Sequence, residues 1–137
     1  MDKNNINKQH SEIRRAIIEL QEDVYDEEEV RKNQLNISLR IGNLSGILLS
    51  HLNYEDLFIY PSLTQHHDEK IRKMAQDFQE EMGDLSSQFE NYQHKYLRKP
   101  EALKSNTLEF IKDTEQILYK ISKRVEKEEF ELFLIID

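Results

Sequence analysis

Apolar residues recur at steps of three and four along almost the whole chain, with few residues able to break the pattern. That spacing puts them on one face of an α-helix, because 3.6 residues complete a turn. Ile13, Ile17, Leu20 and Val24 form one such line. Ile37, Ile41, Leu44, Leu48, His51, Glu55 and Phe58 form a second. A third reads Met74, Phe78, Glu81 and Leu85, with Phe89 and Tyr92 following. The fourth reads Phe110, Thr114, Ile117, Ile121, Arg124, Glu128 and Leu132. With 3 glycines and 2 prolines in 137 residues, the chain has few places to turn. That argues against a sandwich or barrel of many short strands.

The pattern predicts four helices over about 5–24, 27–58, 68–97 and 105–134. Asp26 caps the second, and the acidic run Asp26–Glu29 then faces its positive dipole end. Tyr60-Pro61 reads as the stop of that helix, 62–67 as a connector, and Pro100 as the next break. Short connections favour antiparallel neighbours, so the expected fold is all-α: one domain over 1–137, an up-down-up-down four-helix bundle. Gly42, Gly46 and Gly83 fall inside these helices, each at a cost of about 1 kcal/mol relative to Ala. Close approach of a neighbouring backbone is the expected compensation.

Charge narrows the partners. The 19 basic and 27 acidic residues give a net charge of −8, which disfavours nucleic acid and anionic membrane surfaces. No apolar run approaches the ~20 residues of a membrane span, and the first residues do not resemble a signal peptide. A cytoplasmic protein is expected. The absence of cysteine excludes disulfide frameworks, thiolate-held clusters and Cys nucleophiles. No Gly-rich phosphate loop, Ser-His-Asp order or HExxH string occurs, so binding is expected rather than catalysis.

The informative residues are the polar ones inside the apolar lines. His51 and Glu55 sit on the second line, Glu81 on the third, and Arg124 and Glu128 on the fourth. His10 precedes Ile13 and Ile17 at steps of three and four. A buried carboxylate pairs, coordinates a metal or takes up a proton. Glu55, Glu81 and Glu128 beside Arg124 would leave two negative charges, which one divalent cation would cancel. Antiparallel packing brings His10, His51/Glu55, Glu81 and Arg124/Glu128 to one height. Imidazole and carboxylate suit iron, and also manganese or zinc.

These residues resemble a known family. A His early in the first helix, followed by His51-Leu-Asn-Tyr-Glu55-Asp-Leu-Phe-Ile-Tyr60-Pro61, is similar to the hemerythrin-like (HHE cation-binding) domain. Arg124-Val-Glu-Lys-Glu128 resembles the family's second His-x-x-x-Glu element. The resemblance covers about 5–135. It implies a non-haem iron pair in the bundle core, held by histidines and two bridging carboxylates. His10 and His51 would be terminal ligands of one iron, and Glu55 and Glu128 the bridges. The chain departs from that pattern where Arg124 replaces a histidine and where Glu81 is the nearest counterpart of another. An Arg here, with a Glu-Met-Gly string like Glu81-Met82-Gly83, resembles a subgroup of the family. Arg124 cannot ligate, because its guanidinium stays protonated. Its charge would stand where a second cation would have been.

Two readings follow. The first is a domain binding one iron, two at most, in sensing of oxygen, nitric oxide or redox state, or in iron handling. Its partners would be the metal, a diatomic gas, and a protein partner or second copy. The second is a metal-free helical interaction module built on a buried Glu81–Arg124–Glu128 ion network.

Overall fold

The computed structural model describes residues 3–97 and 101–134, and among them every regular element is helical. Helix α1 spans Lys3–Asp23, α2 Glu27–Lys32 and α3 Gln34–Tyr54. A π-helical turn, Glu55–Ile59, leads into α4, Tyr60–Thr64. Helix α5 spans Glu69–Leu97, α6 Glu101–Ser105 and α7 Thr107–Lys127, which ends in a second π-helical turn, Glu128–Leu132. Pro100 lies outside the described residues.

Local chemistry explains the punctuation. Asp26 accepts a hydrogen bond from the Glu29 amide at 2.9 Å, and Glu27, Glu28 and Glu29 fill the first turn of α2. Pairing fixes direction. Gln9 meets His51 while Glu19 and Asp23 meet Arg40, so α1 and α3 are antiparallel. Glu81 meets Lys127, Gln88 meets Lys120 and Lys95 meets Glu109, so α5 and α7 are too.

The core has two parts. The larger joins Ile13, Leu20, Ile41, Leu44, Leu85, Phe110 and Ile121 with their neighbours. A smaller one joins Ile6, Ile59, Tyr60, Leu63, Ala75, Phe78, Leu132 and Phe133. Each fully buried large aliphatic or aromatic side chain contributes about 1.5–3 kcal/mol. Between the two parts lie buried polar residues: His10 on α1, His51 on α3, Arg124 on α7, and Glu55 and Glu128 at the starts of the two π-helical turns.

Several expectations are corrected. The second predicted helix breaks at Asn33 and does not stop at Pro61. Instead the π-helical turn lets the Tyr60 amide reach the Glu55 carbonyl, five residues back. Helix α4 then restarts with Pro61 in its first turn, where a proline's missing N–H costs least. Residues 62–64, read as connector, are therefore helical. The extra residue in the wide turn also rotates the line: Ile59 is buried, and Phe58 is 60 % exposed. On α5 the core line runs Ala75, Phe78, Met82, Leu85, so Met82 takes the inward place expected of Glu81.

The glycines are corrected as well. A methyl group added at Gly42, Gly46 or Gly83 would meet nothing within 4 Å in this chain, so none marks a close approach inside the bundle. Gly83→Ala should therefore raise unfolding stability by about 0.5–1 kcal/mol, since Ala costs less backbone entropy in a helix. A denaturant midpoint unchanged or lowered in this variant would show that the site is not open.

Candidate metal centre

Glu128 is the meeting point. It is buried at the end of α7, and three donors from three helices converge on it. His10 Nε2 of α1 and His51 Nε2 of α3 each lie 3.0 Å from its Oε1. Arg124 Nε, one helical turn earlier on α7, donates to its Oε2 at 2.8 Å. The His10 and His51 rings meet edge-on with centroids 4.9 Å apart. Nε2 or Nδ1 of each histidine and one Glu128 oxygen form a buried group whose atoms all lie within 4.8 Å of one another. Three such donors are a workable set for a cation.

Glu55 completes the cluster. It is fully buried at the start of the first π-helical turn and forms an ion pair with His51 Nε2. Neither carboxylate oxygen has a hydrogen bond of ordinary geometry. A buried carboxylate in that condition is costly, and a cation is one of the few partners that would relieve it.

The outer nitrogens of the histidines are also held. His10 Nδ1 lies 3.1 Å from Glu129 Oε1, and His51 Nδ1 lies 2.7 Å from Gln9 Oε1. Arg14 binds Glu129 at 2.6 Å and holds its carboxyl below the usual range. Each ring can thus donate outward from Nδ1 and point Nε2 at the centre, the arrangement that orients imidazole ligands in metal sites.

Electrostatics follow from burial and neighbours. Burial alone would lower the His51 pKa, but hydrogen bonds and charge from Glu128 and Glu55 raise it to about 9. Burial alone would raise Glu128, but the histidine contacts and the charges of His51 and Arg124 hold it well below the usual carboxylate range. Glu55 goes the other way: burial and the charge of Glu128 raise it, against the pull of His51. Burial, with the charge of Glu55, pushes the Tyr60 hydroxyl well above its ordinary value.

Arg124 is buried and points inward, as its place in the fourth line predicts. Besides Glu128 it donates to the Tyr60 hydroxyl at 2.8 Å, and its guanidinium stacks over Phe78 at 4.6 Å. Of the expected Glu81–Arg124–Glu128 network, the Glu81 arm is neither buried nor a hydrogen bond. Glu81 is 50 % exposed, binds Lys127 at 2.6 Å, and comes only within 3.6 Å of Arg124 as an outer ion pair. The side of α5 that faces the cluster offers Phe78 and Met82, so Glu81 is removed from the inward set, and the buried network reduces to Arg124 with Glu128.

Sequence reasoning missed Tyr60, Gln9, Glu129 and Arg14. A signal existed for Tyr60, because a buried tyrosine hydroxyl needs a polar partner and Arg124 was the inward donor at hand. The other three are partly exposed residues on the edges of apolar lines, where periodicity is silent.

The sequence was compared with known proteins and families. No curated protein and no solved structure matches it. Among family descriptions, the Hemerythrin HHE cation binding domain matches residues 2–136. No helix among the described residues is long and apolar enough to cross a membrane. A match over nearly the whole chain, on an all-helical fold with buried histidines and carboxylates gathered at one level, places this chain in the hemerythrin HHE cation-binding family.

Proposed function

We propose that the chain is a cytoplasmic module that binds one divalent cation, read as non-haem iron, through His10, His51, Glu55 and Glu128. Its role on this reading is sensing of oxygen, nitric oxide or redox state, or iron handling. The observation that carries the reading is the buried group of His10, His51 and Glu128, with both Nδ1 atoms engaged outward and the Glu55 carboxylate, paired only with His51, beside it. Bound iron would supply a redox-active centre suited to a small diatomic ligand. The chain's own residues orient the imidazoles, keep Glu128 ionised and exclude bulk water. Arg124 and Tyr60 occupy the side where the family's second metal would be held, which supports a single ion.

The direct test is metal content after reconstitution of tag-free protein with ferrous iron. About one iron per chain is expected, and the loaded protein should melt higher than the chelated one. With free metal at 100 times its Kd, the gain is about 2.7 kcal/mol. Near-zero metal together with identical melting curves would overturn the reading.

Proton linkage gives a second test. The folded-state pKa of His51, about 9, lies above the unfolded value of about 6.5. In the chelated protein its contribution to stability is therefore full below pH about 6.5 and is lost as pH rises through about 9. A metal needs the neutral ring, so uptake near pH 7.5 should release about one proton from His51. Binding heats measured in buffers of different ionisation enthalpy report this, and buffer-independent heats would count against His51 as a ligand.

Arg124 supplies the third test. Arg124→His should raise the metal content toward two ions per chain, because it restores two ligands four residues apart on one helical face. Arg124→Leu should lower stability of the chelated protein by about 3–5 kcal/mol, the scale for breaking a buried pair. Two irons in the unsubstituted protein would refute the role given to Arg124.

A further inference from the structure

The outward face of α3 is unlike the rest of the surface. Leu35, Leu39, Gly42, Gly46, Leu49 and Asn53 follow one another at steps of four, three, four, three and four, so they lie on one line of the helix. That line is opposite the buried line Ile37, Ile41, Leu44, Leu48. Leu35, Leu39 and Leu49 are 77 %, 63 % and 59 % exposed. The flanking exposed residues Asn36, Asn43 and Ser50 are also uncharged. In a chain that is 34 % charged, about three of these nine outward positions would carry charge if charge were evenly spread. Absence of charge around an apolar centre marks the core of a protein–protein interface.

The inner four residues of this line are symmetric in sequence, whereas its ends, Leu35 and Asn53, differ. Counted outward from residue 44, glycine stands two residues away on both sides, at 42 and 46, and leucine five away on both sides, at 39 and 49. Two antiparallel copies of α3 related by a two-fold axis at residue 44 would set Gly42 against Gly46 and Leu39 against Leu49. A two-fold interface uses the same patch on both copies and therefore needs such self-complementarity. The two glycines have no packing role within the chain, since a methyl group at either meets nothing within 4 Å. Across a helix pair, small residues at the crossing let backbones approach, and the flanking leucines fill the space beside them.

A groove continues this surface. It lies between α3 and α5, has a volume of about 830 Å3, and is walled by Leu48, Leu49, Leu52, Met82, Leu85 and Phe89 among others. Leu49 belongs to both groove and stripe. Under the same two-fold, Leu39 of one copy sits at the groove mouth of the other. A standard interface takes ~800 Å2 per partner, about a tenth of this chain's 8368 Å2 surface. Helix α3, about 31 Å long, forms the centre of such a contact, and the groove wall extends it.

We propose that this protein forms a two-fold homodimer through α3 packed antiparallel on α3 of a second copy, with the axis at residue 44. The occupant of the face is thus another copy of the chain. Sedimentation equilibrium of the full chain at micromolar concentration should show a dimer. Leu39→Glu alone and Leu49→Lys alone should each weaken dimerisation at least 100-fold, with helical circular dichroism unchanged because both positions are exposed. The double variant Leu39→Glu/Leu49→Lys is the decisive arm. In the proposed register each new carboxylate faces a new ammonium across the axis, so the dimer should return and become sensitive to salt. A monomer at 100 µM in the unsubstituted chain, or a dimer indifferent to both single variants, would overturn the proposal. A double variant that stays monomeric would overturn the register.

Discussion

Of the two fully buried carboxylates, Glu55 and Glu128, the second organises the fold. Glu128 has lost its water, so its charge must be met by the donors of its own protein. His10, His51 and Arg124 meet it, and they come from α1, α3 and α7. One charge therefore ties three helices to one height through directional bonds, which the non-directional burial of apolar surface does not supply. Removing any one donor leaves the others around a charge with too few partners, and breaking a buried pair of this kind costs about 3–5 kcal/mol. The arrangement is a weak argument for stability and a strong one for register.

The helical class was legible because 3.6-residue periodicity is a global signal. His10, His51, Glu55, Arg124 and Glu128 were legible for the same reason: each interrupts an apolar line, and all five are buried. The errors share one cause, which is phase. On α5, Met82 competes with Glu81 for the inward place one residue away, and an unbroken step of three from Phe78 favours the wrong one. After Glu55 the true line steps by four to Ile59, because the π-helical turn holds an extra residue. The fourth line carried the same signature openly: Arg124, Glu128 and Leu132 step by four and four, and there too the turn is π-helical. A step of four on each side of an inward carboxylate was the readable sign. Pro61 misled because its prohibition applies to an α-helical ladder, and the ladder has just been interrupted.

The two halves of the site are chemically unequal. Toward α1 and α3 stand two imidazoles with their outer nitrogens engaged by Glu129 and Gln9. Toward α5 stand a guanidinium, a phenol and the ring of Phe78. The first half offers lone pairs, and the second offers fixed positive charge and an aromatic face. The imidazole half can offer lone pairs to a cation, and the fixed charge of Arg124 opposes one on its own side.

The polar level also divides the apolar interior, leaving a small cluster of Ile6, Ile59, Tyr60, Leu63, Ala75, Phe78, Leu132 and Phe133 beyond it. Cooperativity in a helical bundle travels through shared apolar contacts, and here it must cross a layer held by directional bonds and charge. A cluster set apart in this way has few apolar neighbours, the condition under which one end of a domain can open without the rest. On such opening, amide exchange along α1 would change rate near His10 rather than fade smoothly toward the terminus. The strength of the polar layer sets how far the two units open as one.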